Sequence, residues 1–109
     1  MNKYNCCLLF KNEITATRVI SSYLQYDLNL ALIIVTNDKI KLKNYFKNLG
    51  IDVKYMKYFK EREILNFLKR KKINFLTINV ANIISNFFFS SFKGPIFAVH
   101  GGSLPKYKG

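Results

Sequence analysis

A chain of 109 residues with a net charge of +12 has room for one small domain. Half of its residues are hydrophobic and 16% are aromatic, which excludes an intrinsically disordered chain. No apolar run reaches the ~18 to 20 residues of a membrane helix, because the longest, residues 73–89, is interrupted by Asn74, Asn79, Asn82 and Asn86.

The predicted elements alternate between strand and helix. Residues 5–10 (NCCLLF) form a compact apolar run, suited to a buried parallel strand. Cys6 and Cys7 lie within it. Neighbours in a strand point to opposite faces, so the two thiols are not expected to bridge. With one histidine and no second cysteine pair, no metal site is expected. The short apolar start is not followed by a small-residue cleavage site, and the expected location is cytoplasmic. Residues 12–26 carry Ile14, Val19, Ile20, Tyr23 and Leu24 at helical spacing. Residues 31–35 (ALIIV) read as a second buried strand. Thr36, Asn37 and Asp38 are expected to cap a helix over residues 40–49, which stops at Gly50.

Residues 51–56 read as a third strand. Residues 60–71 form an amphipathic helix with Ile64, Leu65 and Leu68 on one side. A fourth strand over residues 74–78 precedes a helix over residues 83–92, which carries Phe87, Phe88 and Phe89. A fifth strand covers residues 95–99. Short apolar strands separated by helices imply parallel pairing through right-handed crossovers. The predicted fold is therefore α/β: a Rossmann-like open, mainly parallel sheet of about five strands with helices on both faces. Ligands in such sheets bind beyond the carboxyl ends of the strands. That rule selects the loops at residues 11–13, 36–39, 79–82 and 100–109.

The first of these loops reads KNEITA and has no glycine. Backbone N–H groups need glycine there to approach a pyrophosphate, so dinucleotide and P-loop readings are excluded. The last loop reads HGGSLPKYKG. It sets the chain's one histidine, His100, just past a strand and before two glycines. Imidazole is suited to proton transfer near neutral pH. From the residues alone, an ordinary turn holding a hydrogen-bonded histidine is an equal alternative.

This segment resembles the signature of the formyltransferases that use 10-formyltetrahydrofolate: the glycinamide ribonucleotide, methionyl-tRNA and sugar-amine formyltransferases. That signature runs roughly Asn-x-His-Pro-Ser-Leu-Leu-Pro-x-Tyr-Arg-Gly. His100, Leu104, Pro105, Tyr107 and Gly109 fall at matching positions, and Lys108 stands for the arginine. Ile34 to Lys39, Asn48 to Val53 and Leu76 to Ser85 are compatible with other parts of the family's first half.

The resemblance implies a formyl donor, 10-formyltetrahydrofolate, and an amine acceptor. The acceptor is expected to be a small amine or amino sugar, with methionyl-tRNA or glycinamide ribonucleotide as alternatives. His100 would stabilise the oxyanion formed when the amine attacks the formyl carbon, and would help move a proton. Ala81, Asn82, Ile83 and Ile84 would line the folate pocket. Gly102, Ser103, Leu104 and Pro105 would shape it beside the histidine.

Two departures qualify this reading. Ala98 stands where the family has an oxyanion-binding asparagine, and the family's catalytic aspartate lies several tens of residues beyond the motif, past Gly109. The expectation is thus a partial N-terminal domain, residues 1–109, incomplete at its C-terminus and weakly active or inactive alone. Its partner would be the missing C-terminal part or a second copy. Two alternatives stand beside it. One is a catalytically dead formyltransferase-like binding domain. The other is a small basic nucleic-acid-binding domain, for which Tyr55, Lys57 and Tyr58 are the nearest feature. The lysines are spread along the whole chain, as on a solvated surface that attracts anions diffusely.

Overall fold

The computed structural model describes residues 4–37, 39–80 and 83–99. Five strands alternate with four helices. They are β1 (Cys6–Phe10), α1 (Glu13–Gln25), β2 (Leu30–Val35), α2 (Lys43–Asn48), β3 (Asp52–Tyr55), α3 (Glu61–Arg70), β4 (Phe75–Asn79), α4 (Asn86–Ser91) and β5 (Ile96–Ala98). All neighbouring strands pair in parallel, in the order β3-β2-β1-β4-β5. Chain direction across the sheet therefore reverses at β1, and the gap between the carboxyl ends of β1 and β4 is the topological switch point.

Strand β1 is central and completely buried because both of its faces carry helices. Cys6, Leu8 and Phe10 pack with α1 and α2 through Ala16, Ile20, Tyr23 and Phe46. Cys7 and Leu9 pack on the other face with α3 and α4 through Ile64, Leu68 and Phe88. The two cysteines are thus free, buried and on opposite faces, as strand alternation requires. Burial pushes both thiols up, and Cys7, the more enclosed, rises well above the ordinary value, with the neighbouring Cys6 adding to it.

Four details differ from the sequence expectation. First, α1 buries Ile20 and Tyr23 as expected but not the ends of the expected stripe. Thr15, Ala16, Ile20 and Tyr23 are buried, whereas Ile14 and Leu24 are exposed. Second, α2 begins only at Lys43, and its N-cap, Leu42, makes no side-chain capping bond. Glu13, at the start of α1, accepts hydrogen bonds from the Lys41 and Leu42 N–H groups, each at 2.9 Å. Third, α4 begins at Asn86, because Ser85 caps it by accepting from the Phe88 N–H. Glu61 accepts bonds from the N–H and hydroxyl of Ser85 and so ties this cap to α3. Of the three consecutive phenylalanines, only Phe88 is buried, since successive helical residues point in different directions. Fourth, Asn79 is the last residue of β4 rather than part of the following loop.

The approach to β5 depends on Gly94. Its φ is 144°, and a Cβ there would lie 2.1 Å from the Asn74 carbonyl oxygen. Only glycine lets the chain pass this close to β4. Among the described residues, no helix is long and apolar enough to cross a membrane.

Candidate active site at the carboxyl edge of the sheet

The strand ends are joined by a chain of polar contacts. The Thr36 hydroxyl and N–H both donate to the Phe10 carbonyl, linking β2 to β1. The Lys11 N–H donates to the Asn79 carbonyl at 2.9 Å and bridges the switch point between β1 and β4. The Asn79 side-chain amide then donates to the Val99 carbonyl at 2.7 Å, and the Val99 N–H donates to the Ile78 carbonyl at 2.8 Å. Asn79, the last residue of β4, is therefore tied through its backbone to the end of β1 and through its side chain to the end of β5. His100 follows Val99 directly in the sequence.

The other atom of that side chain is unusual. Asn79 Oδ1 is buried and has no hydrogen-bond partner among the described residues. A buried amide oxygen left unpaired costs about 1–3 kcal/mol, so it is a ready acceptor for an incoming N–H or O–H donor. Sequence reasoning placed Asn79 in a ligand-facing loop but gave it no role of its own. The available signal was a polar residue closing an otherwise apolar strand at the ligand-binding edge.

The first loop is held by a local cap. Asn12 caps α1, with its side-chain oxygen accepting from the Thr15 N–H at 3.1 Å. One of the N–H groups that would face an anion is thus already paired. In the second loop, Asn37 accepts from the Lys39 N–H at 2.9 Å and lies against the Lys11 carbonyl.

The predicted site residues divide sharply. Ile83 is almost fully exposed, while Ile84 packs against the α3/α4 core. Ala98 is exposed at the end of β5. His100, Ala81, Asn82, Gly102, Ser103, Leu104 and Pro105, together with Asp38 and the matching Tyr107 to Gly109, lie outside the described residues.

An all-parallel sheet whose strand order reverses at a polar switch point defines a doubly wound α/β domain, the fold class in which ligands bind beyond the strand ends. More narrowly, the chain has the formyltransferase fold. It is similar to glycinamide ribonucleotide transformylase 1 from Symbiobacterium toebii, with a TM-score of 0.76, 14% identity, and coverage of 97% of this chain and 55% of that one. The corresponding enzyme from Geobacillus kaustophilus gives a TM-score of 0.76 at 18% identity, covering 97% of this chain and 62% of that one. A formyltetrahydrofolate deformylase from Pseudomonas putida gives 0.75 at 11% identity, covering 99% of this chain and 41% of that one. The chain therefore spans about half the length of these proteins, and at such identities the likeness is one of fold. No protein-family model matches the sequence, and no curated protein does.

Proposed function

We propose that this chain is a formyltransferase-type domain that takes 10-formyltetrahydrofolate as formyl donor and an amine as acceptor. The observation that carries the proposal is a coincidence of two independent features. The HGGSLPKYKG segment resembles the formyltransferase signature, and in sequence it directly follows β5, on the fold shared with the transformylases and the deformylase. The names of those neighbours share one chemistry, the handling of a formyl group.

In this reading, His100 donates a hydrogen bond to the formyl oxygen and relays the proton lost by the amine. Residues 81–84 and 102–105 form the pocket for the donor. Asn79 Oδ1, buried and without a partner among the described residues, suits a ligand edge rich in N–H donors, such as a pterin. The donor supplies the formyl carbon, and the chain supplies position and proton transfer. The capped, glycine-free start of α1 argues against a phosphorylated acceptor held there, so a small amine or amino sugar is favoured.

A second reading has one specific observation in its favour. Ala98 supplies no side-chain donor where the family signature has asparagine, and loss of one oxyanion donor costs on the order of 100-fold or more in rate. The domain would then bind folate without efficient transfer. A nucleic-acid-binding reading is weaker, because lysines already cover the aromatic rings it would use. Lys43 sits 5.3 Å from the centre of the Tyr55 ring, and Lys57 sits 5.5 Å from that of Tyr58.

Calorimetric titration with 10-formyltetrahydrofolate, on the chain and on His100→Ala, tests the proposal. Binding weakened by the substitution is expected, and absence of binding in the parent chain rejects both folate readings. Formyl transfer to an amine panel, on the parent and on Ala98→Asn, separates those two. A gain on the order of 100-fold in the variant assigns the deficit to the missing amide donor.

A further inference from the structure

Away from the carboxyl edge, a groove of about 670 Å³ runs between α3 and α4. Its floor is apolar: Leu65 lies between the two helices, above the buried Leu68, Ile73 and Phe92. Its rim is cationic, formed by Arg62, Lys69, Lys72 and Lys93. Among the described residues, no carboxylate lines it. Glu61, on the same helix, is turned to the α4 cap, and Glu63 lines a different cleft beside Tyr55 to Lys60. Among the described residues, none of the four rim cations takes part in an ion pair; the ion pairs found are those of Asp52 with Lys54 and Lys71.

We propose that this groove is a docking surface for an acidic amphipathic helix of a protein partner. Arg62, Leu65 and Lys69 sit at helical spacing on one side of α3, so an apolar contact is flanked by cations one turn away on each side. A partner helix with a leucine stripe bordered by glutamates complements that order. Helix α3 has ten residues and spans about 15 Å, enough for some three turns of such a helix.

A nucleic acid fits less well. It would need free aromatic faces for base stacking. The Arg62 guanidinium lies 5.1 Å from the centre of the Phe87 ring and covers one face, and Phe92 is buried. Phosphates would gain from the rim but leave the apolar floor unused. This inference is independent of the proposed formyl chemistry.

The test is fluorescence anisotropy with a labelled peptide of about 14 residues, carrying Leu at i, i+3, i+4 and i+7 between Glu-rich flanks. Saturable binding is expected. The double variant Lys69→Glu/Lys93→Glu should weaken it by about 10-fold or more, and Leu65→Ser by about 5-fold. The exposed control pair Lys41→Glu/Lys47→Glu makes the same charge change on the opposite face of the sheet and should stay within about 2-fold of the parent. Circular dichroism on each variant verifies the fold. Equal weakening by the control pair would reduce the effect to net charge and overturn the proposal. So would equally tight binding of a scrambled peptide of the same composition, or displacement of the peptide by single-stranded oligouridine at equal concentration.

Discussion

The two ends of the sheet are built from the same residue type and differ in how completely it is satisfied. At the amino end, three asparagines pair with one another and with backbone. Asn74 accepts from the Asn5 N–H at 2.7 Å, Asn29 donates to the Asn5 side chain at 2.9 Å, and Asn5 donates to the Lys72 carbonyl at 3.2 Å. At the carboxyl end, Asn79 makes one side-chain bond, to Val99, and its buried oxygen has no partner among the described residues. The amino end is closed structure. The carboxyl end holds polar capacity that the described residues do not use, as expected of the edge where such sheets bind ligands.

This contrast can be broken or sharpened by substitution. Phe10→Ala sets the scale. Phe10, the last residue of β1, is completely buried against Phe46, and its loss should lower unfolding free energy by about 3–5 kcal/mol in urea titrations. For a domain of this size that approaches the whole margin.

The next effect is a pH effect in mid-sheet. Burial pushes Tyr23 up to about 12, while its hydrogen bond to Thr77 pulls the other way and the two cysteines add slightly to the rise. A raised folded-state pKa contributes stability that is present below the unfolded value of about 10 and is lost as pH climbs toward 12. The expected slope in that window is about 1.4 kcal/mol per pH unit. Thermal melts of Tyr23→Phe across the same range should show a slope smaller by that amount.

Asn74→Ala should come next, at about 2 kcal/mol, because it leaves the Asn5 N–H without its acceptor. Asn79→Ala should cost least, under about 1 kcal/mol. It loses the bond to Val99 and also removes a buried oxygen that has no partner among the described residues. If chemical denaturation shows the Asn79 change costing as much as the Asn74 change, the two ends do not differ in the manner argued. A folate affinity reduced in Asn79→Ala, with stability nearly intact, would assign the spare acceptor to the ligand.

Much of this architecture was legible residue by residue. The runs at residues 5–10 and 31–35 marked buried strands, because only parallel strands covered on both faces are apolar throughout. The stripe of Ile64, Leu65 and Leu68 marked α3 and its inward face. Helix starts were less legible where the cap came from afar. Nothing local to Leu42 reveals that Glu13, 29 positions earlier, holds the start of α2, nor does the stretch around Ser85 show that Glu61 secures the start of α4. The face of α1 was legible in part. Ile14 and Leu24 satisfy the periodicity, but Thr15 and Ala16 are buried in their place, beside the expected Ile20 and Tyr23.

The sequence by itself determined the order of strands and helices, the parallel sheet and the position of the histidine loop relative to β5. Those depend on local periodicity and on chirality rules that every chain obeys. Only the tertiary structure decided which strand ends meet, and so made Asn79 the link among β1, β4 and β5. It alone gathered Arg62, Lys69, Lys72 and Lys93 around one apolar floor. Such contacts join residues distant in sequence, and no short-range pattern encodes their closure.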